Sequence, residues 1–172
     1  MAGIIADLTD YTRTRASGVV SLDREKLDLG ELVAEIAREI PVKPGRDLRL
    51  RRVGDGTGEW DRGRLLRVIV NLVNNAFAYG APGSPVTVDV EGEDGCVSLR
   101  VQNEGEPIAA DLLPHLFEPF KRGRKGAGAG LGLYIVRQIA HAHGGSIEVQ
   151  SNGGRGTTFL VRLPRQLVGD AH

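Results

Sequence analysis

At 172 residues the chain is long enough for one globular domain with a real core. Lysine plus arginine and aspartate plus glutamate balance at 22 each, so net charge favours neither a nucleic-acid nor a membrane surface. The single cysteine, Cys96, excludes an internal disulfide, and with no secretory h-region and no apolar run of about 18 residues the chain reads as cytoplasmic.

Taken in order, Gly3 to about Arg15 spaces Ile4, Ile5, Leu8 and Tyr11 at three and four, which predicts a short helix with one sticky face. Gly18 ends it, and Val19 to Leu22 reads as a short strand or connector. Asp28 with Glu31 forms a capping-box-like start for a second helix, whose apolar face is Leu29, Leu32, Val33, Ile36 and Ile40 and which stops before Pro41. Asp47 to Val53 alternates as a half-buried strand, and Gly54 to Glu59 is turn-rich. Asp61 can cap a third helix that runs to Tyr79, with Gly80 at the C-cap position. Pro85 to Glu91 and Cys96 to Val101 alternate around Asp94-Gly95, a hairpin signal, and a second hairpin joins Ser146 to Ser151 with Thr157 to Leu163. This order predicts a mixed sheet with helices packed on one face.

Glycine stands at 24 residues, and ten of these fall between Gly123 and Gly156. Gly126 to Leu133 leads straight into a helix-like segment from Tyr134 to His143, behind the basic residues Lys121, Arg122, Arg124 and Lys125. Backbone without side chains that opens onto a helix N-terminus suits phosphate, because the first N–H groups are unpaired and carry partial positive charge. A bare glycine run is also what a mobile surface loop looks like, and neither G-x-x-x-x-G-K-S/T nor G-x-G-x-x-G after a strand occurs.

The third helix adds a more specific signal. Asparagine is a poor helix former, yet Asn71, Asn74 and Asn75 interrupt its apolar face. Asn71, Asn75 and Tyr79 stack along one side at i, i+4 and i+8. Such a stripe is either solvated surface or a set of amide oxygens able to ligate a hard cation that shares its shell with phosphates and water.

Asn71 to Tyr79 resembles the N box of the GHKL superfamily, and specifically of the catalytic and ATP-binding domain of sensor histidine kinases. Further boxes follow in the family's order: Val101 to Ile108 resembles the first glycine box, Phe117 to Phe120 the F box, Gly128 to Leu133 the second glycine box, and Gly156 to Phe159 the last. The resemblance implies a two-layer α/β sandwich of Bergerat type: a mixed, mostly antiparallel sheet, helices on one face, and a short N-terminal helix. It implies ATP and Mg²⁺ as ligands, with Asn75 the principal metal ligand and Asn71 its neighbour in the same shell. Tyr79 would lie against the adenine, in a pocket that Asn103, Gly105 and Ile108 help to form. Lys121 or, by position, Arg122 would reach the terminal phosphates; Phe120 counts among the residues near the nucleotide, though Phe117 and Phe120 read mostly as core packing. Gly128, Gly130 and Gly132, with Leu131 and Leu133, would supply the lid hinge and phosphate amides, and Thr157 would hold the base through water.

The chain departs from the family pattern at three places. Asn103 stands where an aspartate usually accepts from the adenine amino group, which predicts weaker discrimination against guanine because the charge is gone and an amide can flip. Pro107 replaces a glycine and stiffens its loop, and Ala78 replaces a lysine. Asn71 also stands where the gyrase and chaperone branches carry a water-activating glutamate, so slow hydrolysis and transfer to a protein nucleophile are expected, with Asn71, Lys121 and Arg122 acting by position and charge.

The family's acceptor is a histidine in an H-E-L-R-x-P-like box on a helical hairpin. His115, His141, His143 and His172 are followed by no such motif, and His141 and His143 read as charges near a helix C-terminus. Residues 1–22 resemble the end of that dimerisation hairpin and its linker, 23–165 the ATP-binding domain, and 166–172 a frayed tail. The expectation is a catalytic domain that phosphorylates a hairpin histidine supplied elsewhere, works with a downstream response regulator, touches neither nucleic acid nor membrane, and is a monomer or weak dimer. Two readings stand beside it: a nucleotide-binding or partner-binding module without transfer activity, and a GHKL serine kinase of anti-sigma type.

Overall fold

The computed structural model describes residues 2–41, 44–121 and 129–166. In chain order the elements are α1 (Ala2–Ser17), β1 (Arg24–Asp28), α2 (Leu29–Glu39), β2 (Leu48–Val53), β3 (Thr57–Asp61), α3 (Arg62–Tyr79), β4 (Val86–Gly92), β5 (Cys96–Asn103), α4 (Gly132–Ala142), β6 (Ser146–Asn152) and β7 (Gly156–Pro164). A 3-10 turn at Leu113–His115 lies between β5 and α4.

Five strands form one sheet in the order β2-β4-β5-β7-β6. Only β2 and β4 run parallel; the remaining pairs are antiparallel. Alternation sorts the two faces, as a period of two requires. Val86, Val88 and Val90 of β4, Val97, Leu99 and Val101 of β5, and Phe159, Val161 and Leu163 of β7 turn inward, where they meet the apolar faces of α2, α3 and α4. The opposite face carries ion pairs, Arg51 and Arg100 on Asp89 and Arg162 on Glu148. The result is a two-layer α/β sandwich with its helices on one side, as the element order predicts.

Both predicted helix starts form through local side-chain bonds. Asp28 accepts from the Glu31 N–H at 3.0 Å, and Asp61 from the Arg64 N–H at 2.9 Å. Gly80 does close α3, but in extended rather than left-handed backbone (φ −67°, ψ 151°). Its lack of a side chain serves close approach instead: a Cβ there would meet the Ala76 carbonyl at 2.6 Å.

Val19 to Leu22 takes the connector form of its two expected forms, and a strand not expected from the sequence follows it as β1, paired antiparallel with β3. Two expectations are corrected. The supposed turn at Gly54 to Glu59 is half strand, because the segment is stitched to the end of β7. Trp60 is fully buried and its indole donates to the Pro164 carbonyl at 2.7 Å, while the Arg165 guanidinium donates to the carbonyls of Asp55 and Thr57. The sticky face of α1 is also largely left in solvent: Ile4, Ile5 and Leu8 are exposed, and of that set Tyr11 packs against the core.

Candidate functional site

The site is assembled where the C-terminal half of α3, the start of α4 and one end of the sheet converge. Asn71 and Asn75 lie one turn apart on α3, both half-buried between the buried residues Leu72, Val73 and Ala76. The Asn71 side-chain nitrogen is buried and has no hydrogen-bond partner among the described residues. Its oxygen lies 3.5 Å from where a Cβ on Gly132 would stand, so Asn71 faces the first residue of α4. Leaving such an amide unpaired costs on the order of 1–3 kcal/mol, and a ligand that bonded it would recover that cost. Leu131, at the N-cap of α4, is fully buried and makes no side-chain cap, so the first amides of α4 keep their capacity for an anion.

Around the glycine run, the two flanks meet. Phe120 has a left-handed backbone (φ 64°) and its N–H donates to the Gly130 carbonyl at 2.9 Å. Lys121 is exposed, 3.8 Å from the Glu118 carboxylate, which also bonds His115 Nδ1 at 2.7 Å. These neighbours hold the Glu118 carboxyl below its usual range, His115 contributing most. Arg122 and Gly128, both predicted to contact phosphate, lie outside the described residues, as do Arg124 and Lys125. Phe117 packs as expected, edge-on to Phe159 with centroids 6.3 Å apart. Phe120 does not belong to the core: it is 53% exposed and its ring meets Tyr11 of α1 at 5.2 Å. Tyr11 also contacts Tyr134 of α4 at 5.5 Å.

The sheet end supplies the floor. Asn103 of β5 pairs with Thr157 of β7, which pairs with Ser151 of β6, so three polar side chains form one row. Asn103 and Thr157 are only 3% and 4% exposed. The Asn103 amide nitrogen donates to the Glu104 carbonyl at 3.3 Å, which leaves the amide oxygen as the free acceptor. Gly156 lets β7 close on this row: it takes a left-handed φ of 73°, and a Cβ there would meet the Asn103 carbonyl at 2.0 Å. Gly105 and Ile108 follow Asn103 over the row, and Leu133 is half-buried on α4. Tyr79 stands exposed on the last turn of α3, at the rim of this region. The loop after Asn103 is tied to that turn by the Ala81 N–H on the Glu104 carbonyl, 2.7 Å.

Three residues in this framework escaped the sequence reading. Arg46 donates to the carbonyls of Phe77, Gly80 and Ala81, completing the end of α3 with a cation where the helix dipole is negative. Nothing local marks it, because its partners lie a helix away. Ser151 accepts from the Ile108 N–H and bonds the Thr157 hydroxyl, each at 2.8 Å. Its inward place in the alternation of β6 was the available signal, overshadowed by the Asn152-Gly153-Gly154 turn. His143 is not a surface charge at the end of α4. It is fully buried, its Nε2 accepts from the Asp61 N–H at 3.0 Å, and its Nδ1 therefore carries the proton that meets the Ile139 carbonyl at 2.8 Å. Burial is the main cause that pushes its pKa below the usual histidine value. His141 remains exposed.

Chemically, the arrangement offers neutral amide oxygens, free helix N-terminal amides and a buried polar floor, with no carboxylate at Asn71 to act as a base. Among the described residues there is no cluster of three or more His, Cys, Asp or Glu side chains that could hold a metal. A cation at Asn71 and Asn75 would therefore complete its shell from phosphate oxygens and water.

Known proteins share this chain's sequence and fold. Residues 60–167 match the family described as histidine kinase-, DNA gyrase B- and HSP90-like ATPase. Over 173 aligned residues the chain is 41% identical to the sensor histidine kinase CusS of Escherichia coli O157:H7, covering 96% of this chain and 36% of that one. The full-length structure of ShkA in complex with AMPPNP superposes with a TM-score of 0.83 at 25% identity, over 96% of this chain and 36% of that chain. The structure of the histidine kinase ThkA in complex with the response regulator protein TrrA gives 0.76 at 28% identity, over 96% and 47%. The chain thus spans about a third of the length of the curated relatives it matches. With the family model covering more than half of its residues, the chain belongs to the histidine kinase-, DNA gyrase B- and HSP90-like ATPase family.

Proposed function

We propose that this chain is the cytoplasmic, Mg-ATP-binding catalytic domain of a sensor histidine kinase, which passes the γ-phosphate to a histidine on a helical hairpin and works with a response regulator. The observation that carries this reading is the unpaired, buried Asn71 amide facing the uncapped start of α4. A buried amide donor beside free N-terminal amides, on a helix that also carries amide oxygens, fits a phosphate chain with its cation.

In this reading Asn75 and Asn71 hold Mg²⁺, which supplies positive charge against the terminal phosphates when bound. The amides of Gly130 and Gly132 face the phosphates, and Lys121, with Arg122, adds charge from the lid flank. Asn103 accepts from the adenine amino group through its free oxygen, Thr157 serves the base beside it, and Tyr79 closes the rim. Because Asn71 cannot take a proton from water, the site positions the phosphate for a protein nucleophile instead of hydrolysing it. Among the described residues no helix is long and apolar enough to cross a membrane.

The decisive experiment mixes the chain with a separately purified hairpin domain carrying an H-E-L-R-x-P-like box and follows γ-labelled phosphate. The expected result is acid-labile label on the hairpin histidine, with ATP turnover by the chain alone below about 1 s⁻¹. Replacing Asn75 by Ala should weaken Mg-ATP binding by at least about tenfold, or ~1.4 kcal/mol, in a calorimetric titration. ATP binding without label on the hairpin would reduce the chain to a regulatory module and sink the kinase reading.

A further inference from the structure

Ser151 stands outside every box that the sequence reading assigned, yet it is the polar residue that joins two parts of the floor. Strand β6 places it beside Thr157, and the loop after Asn103 brings the Ile108 amide onto it. The hydroxyl has one proton and two lone pairs. The Ile108 N–H uses one lone pair at 2.8 Å, so the Ser151–Thr157 contact, also 2.8 Å, can run in either direction.

In either direction one of the two hydroxyl protons lacks an acceptor among the described residues: that of Ser151 if Thr157 donates, that of Thr157 if Ser151 donates. A bound group with an acceptor beside Thr157 selects the second arrangement, because both protons are then satisfied. The second arrangement is a directed chain, from the Ile108 N–H through Ser151 to Thr157, in which each bond polarises the next. Asn103, next to Thr157 in the row, gives one amide N–H to the Glu104 carbonyl, and no described residue donates to its side-chain oxygen, which keeps its capacity as an acceptor.

We propose that Ser151 is a positioning residue for base selection, which fixes Thr157 as a hydrogen-bond donor beside the acceptor Asn103. This inference rests on the nucleotide-binding reading above and adds to it the origin of specificity. An acceptor and a donor side by side match adenine, which offers an amino group and an unprotonated ring nitrogen on one edge. Guanine presents the opposite pair, a carbonyl oxygen and a ring N–H, so it meets acceptor against acceptor and donor against donor. The lost aspartate charge at Asn103 makes the Ser151 chain a larger share of the discrimination than the family pattern alone would give it.

The test uses the 172-residue chain and calorimetric titration with Mg-ATP, Mg-GTP and Mg-tripolyphosphate. Wild type should prefer ATP, by less than about a thousandfold. Ser151→Ala should weaken ATP binding by about tenfold, or ~1.4 kcal/mol, and change GTP less, so the ATP-to-GTP ratio falls. Tripolyphosphate binding should stay unchanged, and Ser151→Thr, which keeps the hydroxyl, should restore the ratio. In a Thr157→Val background the Ser151→Ala change should move the ratio no further, since both act through one chain. An unchanged ratio in Ser151→Ala, additive losses in the double variant, or an equal loss of tripolyphosphate binding overturns the proposal. Failure of wild type to bind ATP at all is a separate outcome, which overturns the nucleotide reading and with it this one.

Discussion

The interface between α2, α3 and α4 and the sheet is closed and apolar, whereas the joint between α1 and the same helices is made of charge and aromatic edges. In the first, Leu29, Leu65, Leu72, Val136 and Leu163 are almost fully withdrawn from water. In the second, Asp7 and Asp10 reach Arg64 and Arg67 of α3, and Tyr11 lies edge-on between Phe120 and Tyr134. Burial of apolar area contributes about 25 cal/mol per Å², while partly exposed ion pairs contribute a few tenths of a kcal/mol to about 1 each. The two regions therefore differ in kind: one makes the domain, and the other holds a helix against it.

That contrast is broken most directly by cutting one side chain in each region. Leu72 lies between the two site asparagines on α3 and is fully buried, so Leu72→Ala should cost roughly 2–5 kcal/mol in urea unfolding. Ile5 on α1 is 68% exposed, and Ile5→Ala should move stability by no more than about 0.5 kcal/mol. A comparable loss from both variants would mean that α1 belongs to the folding core.

The same division explains what could be read from sequence. The caps at Asp28 and Asp61 were legible because a cap is a bond to an N–H three residues away. Asn71 and Asn75 were legible because amides on an otherwise apolar helix face have a short list of uses. The β1–β3 pair was not, since Arg24–Asp28 and Thr57–Asp61 carry charge and glycine, and their pairing depends on the distant contacts of Trp60 and Arg165. Phe120 looked like core because its partner, Tyr11, lies at the other end of the chain. His143 looked like a surface charge because its acceptor role is set by Asp61, 82 residues away.

His143 gives the next largest effect and sharpens the comparison from inside the core. Its ring joins the end of α4 to the cap of α3, and the groups that face it are the Asp61 carboxylate, the cations of Arg24 and Arg64, and the Ile139 carbonyl. Burial, aided by the two arginines, favours the neutral ring, so the unfolded chain binds the extra proton more readily. The stability this confers is complete above the unfolded histidine value of about 6.5 and declines as pH falls below it. Urea midpoints measured from pH 8 to pH 5 should decrease across that window, and His143→Gln should flatten the decline. The carboxylates of Asp55 and Glu118, both held below their usual range, lose their protons lower on the pH scale and do not confuse the test.

The smallest expected effect belongs to the α1 joint, and it separates holding a helix from building a domain. Arg67 meets both Asp7 and Asp10, and Asp10 also meets Arg64 at 3.2 Å, so one arginine bridges two turns of α1. These side chains are partly shielded, yet they remain within reach of salt, whose screening length falls from about 10 Å at 0.1 M to about 3 Å at 1 M. Asp10→Asn removes a charge from the centre of the network and should reduce the docking of α1 by about 0.2–1 kcal/mol. The global unfolding midpoint should stay close to wild type, because none of these pairs enters the apolar core. Hydrogen exchange at the amides of α1 reads the effect: exchange should quicken in Asp10→Asn and in 1 M salt, while α3 and β5 keep their protection. If salt leaves α1 protected, the aromatic contacts of Tyr11 with Phe120 and Tyr134 carry the joint, and Tyr11→Ala should then release the helix where charge removal did not. The first result assigns the hold on α1 to Asp7, Asp10, Arg64 and Arg67; the second assigns it to Tyr11, which touches Phe120 and Tyr134, the residues on the two flanks of the glycine run.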